Sequence, residues 1–151
     1  MNKEHKIAVI GLGYVGLPLV VAFSDHFQVV GFDINLGRIK DLNDSIDSNG
    51  DIKFIKNDNI LFTNKLDEIR DANIYIITVP TPVTSDNVPD LTIIENASKE
   101  VANFLNQDDI VIYESTVYPG VTEEVCVPIL EEGSDLKYNV DFYCGYSPER
   151  I

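Results

Sequence analysis

The chain has 151 residues, 25 of them acidic and 11 basic, for a formal net charge of −14. At about 150 residues per domain, this length describes one domain, large enough to bury a core without disulfide or metal staples. The acidic balance, with no Lys/Arg cluster, excludes nucleic acid and an anionic membrane surface as partners, and two cysteines without metal-ligand spacing exclude a disulfide framework and a metal site.

Ile7 to Phe23 carries no charge and follows Lys3 and Lys6, which invites reading it as a signal peptide or a short membrane span. Glu4 in the basic region argues against that, as do Gly11, Gly13, Gly16 and Pro18 inside the apolar run and the lack of a small-x-small cleavage site. The stretch divides instead into a strand over Lys6–Ile10 and a helix over Val15–His26, and the cytoplasm is the expected location. Further strands are expected at Gln28–Phe32, Ile60–Thr63, Asn73–Thr78, Ile110–Tyr113 and Phe142–Cys144. Further helices are expected at Asn35–Asn43, Leu66–Arg70, Leu91–Leu105 and Gly120–Leu130. The polar segment Asn43–Asn59 and the Pro/Thr/Ser-rich segment Val79–Pro89 read as loops. Alternating strands and helices predict an α/β fold with a doubly wound, mainly parallel six-stranded sheet of order 3-2-1-4-5-6. Ile7–Ile10 and Ile74–Ile77 are apolar at every position except Tyr75, as strands buried on both faces require.

Gly11-Leu12-Gly13-Tyr14-Val15-Gly16 leaves the first strand and opens a helix, which is the context that turns G-x-G-x-x-G into a Rossmann dinucleotide fingerprint. Gly11 permits the tight turn, Gly13 admits a pyrophosphate to the backbone, and Gly16 lets the helix pack close to the strand. Tyr14 and Val15 belong to the same phosphate-facing turn, where the helix N-terminus offers unpaired N–H groups. Asp33 ends the second strand, 20 residues after Gly13. A carboxylate there accepts both hydroxyls of an adenosine ribose and repels a 2′-phosphate, which points to NAD rather than NADP. A helix N-cap is the alternative use of Asp33. Arg38 either leans on the adenosine end of the cofactor or is a solvated surface charge.

Thr81, after the fourth strand, and Ser115 and Thr116, after the fifth, stand where ligands bind in open α/β sheets, beyond the carboxyl ends of the strands. Turn and helix-capping hydroxyls are the alternatives. Glu149 follows the last strand as a candidate general base, with Arg150 beside it as a candidate anion contact; an ordinary exposed Glu–Arg pair is the alternative. Cys126 reads as core and Cys144 as the buried end of a strand. Neither has a neighbouring cation to activate it. His5 and His26 read as exposed surface residues.

Five motifs in order, Gly11–Pro18, Gly31–Asp33, Val79–Pro82, Glu114–Val117 and Ser147–Arg150, resemble the N-terminal domain of the UDP-glucose/GDP-mannose dehydrogenase family over essentially the whole chain. The ending Tyr-Ser-Pro-Glu-Arg-Ile is most similar to the branch acting on UDP-N-acetylhexosamines. The resemblance implies oxidation of a sugar C6 hydroxyl to a uronic acid in two NAD-dependent steps through a cysteine thiohemiacetal and thioester, for surface polysaccharide synthesis. It implies that Gly11, Gly13, Tyr14, Val15, Gly16, Asp33, Arg38, Thr81 and Ser115 contact NAD. It further implies that Thr116 positions the reactive water, Glu149 is the acid/base residue of hydrolysis, and Arg150 meets the UDP-sugar substrate. The family's Gly-Phe-Gly-Gly-x-Cys nucleophile motif is not in this sequence. Residues 1–151 are therefore expected to be the cofactor domain of a longer, homodimeric enzyme, inactive on its own. A stand-alone NAD-binding regulatory module is one alternative, and a 3-hydroxyacid or 6-phosphogluconate type of oxidoreductase is the other.

Overall fold

A computed structural model describes residues 4–148. Six strands, β1 (Lys6–Ile10), β2 (Gln28–Phe32), β3 (Ile60–Thr63), β4 (Ile74–Ile77), β5 (Ile110–Tyr113) and β6 (Tyr143–Tyr146), form one sheet in the order β3-β2-β1-β4-β5-β6. Every pairing is parallel. The doubly wound order expected from the alternation is the one observed.

Two apolar layers explain why these segments pair. On β1, Ile7 and Val9 join Leu17 and Val20 of α1 (Gly16–Ser24) and Ile39 and Leu42 of α2 (Leu36–Asn43) on one face. Ala8 and Ile10 point the other way, into a core with Ile94 and Val101 of α3 (Thr92–Ala102) and Leu130 of α4 (Val127–Ser134). Each such Val, Leu or Ile contributes about 1.5–3 kcal/mol when fully buried, so a central strand apolar on both faces is held from both sides. Tyr75, the exception in the β4 run, is fully buried, and its hydroxyl donates to the Ala72 carbonyl at 3.1 Å. Burial pushes its phenol well above the ordinary range, so the group is a neutral donor.

Several boundaries differ from the sequence expectation. The helix expected over Gly120–Leu130 begins as a π-helical turn, Thr122–Cys126, and becomes α4 only afterwards, running on to Ser134. Pro128 supplies the reason: it has no N–H for the carbonyl four residues back, and its ring crowds that carbonyl, so the preceding turn is wider. The helix stops where Asp135 adopts a left-handed conformation (φ 58°). The last strand is shifted to Tyr143–Tyr146, which leaves Cys144 half-buried inside it rather than buried at its end. Within the expected loop after β4, Val83 and Pro89 pair in an antiparallel bridge around a turn in which the Thr84 amide donates to the Val88 carbonyl at 2.8 Å.

The tightest glycine among the described residues lies at the start of α1. A Cβ on Gly16 would stand 1.8 Å from the Gly11 carbonyl oxygen and 2.6 Å from the Thr78 hydroxyl. Those two atoms are fixed by their own hydrogen bond of 2.6 Å, so neither can yield. Gly16→Ala is expected to cost about 1–3 kcal/mol, read as a fall in melting temperature by circular dichroism. An unchanged melting temperature would show that the helix start can shift freely.

Candidate functional site

Strand order reverses between β1 and β4, and ligands in open α/β sheets bind beyond the carboxyl ends of the strands at that point. The segments leaving those two strands, 11–15 and 78–82, bound a cleft of about 870 Å³. Gly11 takes the turn at φ +96°. Its amide donates to the Phe32 carbonyl at 2.9 Å. The Thr78 hydroxyl lies between the Ile10 and Gly11 carbonyls, at 3.1 and 2.6 Å. The turn is thus tied to β2 on one side and to the end of β4 on the other.

Gly13, Tyr14 and Val15 line the cleft. A Cβ on Gly13 would meet nothing within 4 Å, so its missing side chain leaves open space instead of filling a packed one. Helix α1 begins at Gly16 with no side-chain cap and no acidic residue in its first turn. An anion in the cleft therefore meets a helix N-terminus whose dipole nothing on the helix offsets. Tyr14 is exposed. Gly16 does not line the cleft; it sits beneath it.

Asp33 is half-buried at the cleft edge. Its Oδ2 accepts from the Leu12 amide and its Oδ1 from the Asn35 amide, both at 2.9 Å. Each carboxylate oxygen has room for another donor. The N-cap of α2 is Asn35, whose side chain accepts from the Arg38 amide at 3.1 Å. Asp33 is therefore not the cap, and its carboxylate stays on the cleft.

Arg38 is buried, not a solvated surface charge. Its Nε donates to the Leu12 carbonyl at 2.9 Å and its Nη1 to Asp47 Oδ1 at 2.6 Å, with Ser48 Oγ at 3.3 Å. Its Nη2 is buried with no hydrogen-bond partner among the described residues. Arg38 also lines the cleft, so an incoming ligand can supply an acceptor for a donor that is otherwise costly to leave unpaired. Asp47 lies in the polar segment expected to be a surface loop, yet its carboxylate also accepts from the amides of Asn49, Asp51 and Ile52 at 3.2, 2.7 and 2.9 Å. Burial works to raise the Asp47 carboxyl, but the Ile52 amide, the Arg38 guanidinium and the Asn49 amide outweigh it and hold the group below the ordinary carboxylate range.

Across the cleft, the Thr81 hydroxyl donates to the Thr116 carbonyl, and the buried Ser115 hydroxyl donates to the Val79 carbonyl at 2.7 Å. These two bonds tie the loop after β4 to the loop after β5. They commit both hydroxyl protons to the scaffold, leaving lone pairs to face a ligand. Thr116 is exposed on the cleft wall. Glu149 and Arg150 lie outside the described residues. Every other candidate cofactor or catalytic residue named from the sequence, apart from Gly16, lines this one cleft. Sequence reasoning missed Asn49, Asn96 and Glu100, which line it too. Asn96 and Glu100 are four residues apart on α3 and so share a helix face, a signal that was present. Asn49 carried none.

Residues 5–151 match the UDP-glucose/GDP-mannose dehydrogenase family, NAD binding domain. The chain belongs to that family. A UDP-N-acetyl-D-glucosamine 6-dehydrogenase of Pseudomonas aeruginosa is 51% identical over 152 residues, covering 99% of this chain and 36% of the relative. Protein CapL of Staphylococcus aureus is 50% identical over 153 residues, covering all of this chain and 36% of the relative. Among solved structures, a UDP-D-ManNAc dehydrogenase from Pyrococcus horikoshii superposes with a TM-score of 0.86 at 34% identity, covering 97% of this chain and 36% of that one. The chain spans about a third of the length of the curated relatives it matches.

The cleft fits the cofactor of this NAD-binding domain on its own chemistry. It has a glycine cradle open where a Cβ would stand, a helix N-terminus, an acidic residue at the end of β2 and a buried donor without a partner. No helix among the described residues is long and apolar enough to cross a membrane, and no group of three or more His, Cys, Asp or Glu is placed to hold a metal ion. Neither cysteine of this family member is activated as a thiolate. Burial raises the Cys126 thiol and pushes the Cys144 thiol up to about 12. Iodoacetamide at about pH 8, near the ordinary thiol value, is expected to leave both unmodified over a time in which glutathione is consumed. Labelling of either at a comparable rate would contradict the raised thiols.

Proposed function

We propose that this chain is the NAD-binding part of a longer dehydrogenase. That enzyme oxidises the C6 hydroxyl of a UDP-N-acetylhexosamine to the uronic acid in two NAD-dependent steps, in the cytoplasm, as a homodimer, and for surface polysaccharide synthesis. The observation that carries the reading is the open glycine turn set between Asp33 and the unpaired Nη2 of Arg38 on a single cleft. Two relatives at about half identity, both named UDP-N-acetyl-D-glucosamine 6-dehydrogenase, support the substrate class.

In this reading Gly11, Gly13, Tyr14 and Val15 form the pyrophosphate cradle, and Gly16 supports it from beneath. Asp33 accepts the adenosine ribose hydroxyls, and Arg38 closes the adenosine end. Thr81 and Ser115 support the other half of the dinucleotide, and their mutual ties to Thr116 and Val79 keep that wall rigid. The bound cofactor supplies the hydride acceptor. Thr116 positions the water that completes the oxidation, Glu149 handles its proton, and Arg150 contacts the sugar nucleotide. The Ser147 amide donates to the Tyr113 carbonyl at 2.9 Å, which carries the segment before Glu149 and Arg150 along the same end of the sheet as Thr116.

Calorimetric titration tests the cofactor half of the proposal. The chain is expected to bind NAD at least tenfold more tightly than NADP, and Gly13→Ala to weaken NAD binding about tenfold or more while leaving the melting temperature within about a degree, since its methyl meets only open space. Equal affinity for the two cofactors, or a Gly13→Ala chain that binds NAD normally, would overturn the site. The full-length enzyme is expected to reduce two equivalents of NAD per UDP-N-acetylhexosamine, and the 151-residue chain none. A single equivalent, or turnover by the chain alone, would overturn the catalytic half.

A further inference from the structure

Asp33 and Arg38 bias cofactor choice in opposite directions. An acidic residue at the end of the second strand repels a 2′-phosphate, whereas a nearby arginine accommodates one. Here the two are five residues apart, line one cleft, and are joined through Asn35, which donates its amide to Asp33 and accepts the Arg38 amide on its side chain. A free guanidinium at this place would cancel the charge of Asp33.

The guanidinium is not free. Its Nη1 is 2.6 Å from Asp47 Oδ1, and the side chains of Arg38 and Asp47 are only 7% and 1% exposed. A pair so shielded from water interacts far more strongly than a surface pair, and at longer range it presents no net charge. The same carboxylate collects the amides of Asn49, Asp51 and Ile52, which wraps the segment around Arg38 and puts Asn49 on the cleft wall. Asp47 itself does not line the cleft.

We propose that Asp47 is a cofactor-specificity residue that acts through Arg38. By neutralising the guanidinium it leaves Asp33 as the uncompensated charge beside the adenosine ribose, and so sets the preference for NAD over NADP. The inference rests on the placement of the adenosine ribose at Asp33 proposed above. A merely structural Asp47, one that only holds residues 47–52 in place, would weaken both cofactors alike when lost. A charge-balancing Asp47 changes their ratio.

The test is calorimetric titration of the wild-type chain, Asp47→Asn and the double variant Asp47→Asn/Arg38→Gln with NAD and with NADP, each fold checked by circular dichroism. Asp47→Asn is expected to narrow the NAD:NADP preference about tenfold, mainly through tighter NADP binding, because it frees the Arg38 charge. The double variant is expected to restore a wide preference. If Asp47→Asn weakens both cofactors equally, or leaves the ratio unchanged, Asp47 is structural and the inference falls. If Asp47→Asn does not fold, Arg38→Gln reads the balance from the other side: it leaves Asp47 uncompensated and widens the preference, and an unchanged ratio there overturns the proposal. A wild-type chain without NAD preference would instead sink the placement of the ribose at Asp33.

Discussion

The approach of Gly16 to the Gly11 carbonyl is the contact on which the rest of the site depends. With a Cβ distance of 1.8 Å, any side chain would force the turn or the helix to shift, and helix α1 starts directly beneath the turn only because position 16 has none. The Thr78 hydroxyl closes on the same carbonyl at 2.6 Å, so the end of β4 is locked to the turn after β1. Strand order reverses between these two strands, and the cleft is the gap their departing loops leave. A side chain at position 16 would push α1 outward and take the unpaired end of the helix away from the place where a phosphate would sit. Core packing and ligand geometry are one constraint at this point.

Electrostatics in this molecule is local. A chain with a net charge of −14 can still offer a cleft suited to an anion, because backbone amides and one helix end act within a few ångströms, where net charge has little effect. The buried ion pair follows the same logic. Desolvating Arg38 and Asp47 is costly, and a buried pair is poor evidence for stability by itself. Three backbone amides and the Leu12 carbonyl offset that cost here. What the pair secures is the position and the charge state of one wall of the cleft.

The sequence revealed the parts of this design that follow from period and from steric demand. Runs such as Ile7–Ile10 are apolar at every position, which is how a parallel strand buried on both faces must read, and the strand order followed from the alternation of elements. The fingerprint glycines were legible because each answers a geometric need. Contacts made at long range by polar side chains were not legible. Asp47 and Asn49 lie in a segment whose composition is that of a surface loop, and nothing local marks Asp47 as the partner of Arg38. The π-helical turn before α4 was signalled by Pro128, yet the apolar residues around it suggested a simple helix. Thr81 and Ser115 stood in the right place, but only the structure gives the carbonyls to which their hydroxyls donate.

The proposed NAD cradle, the β1–α1 turn with Asp33 and the segment around Asn49, is preformed in this fold. Amide chemical-shift mapping of the 151-residue chain by NMR during titration with NAD tests it most directly. Shifts are expected to concentrate at Gly11 to Gly16, Asp33 and Asn49 and along the loops after β4 and β5, while amides of the core strands stay in place. Shifts confined to other surfaces, or a rearrangement spread through the sheet, would contradict it.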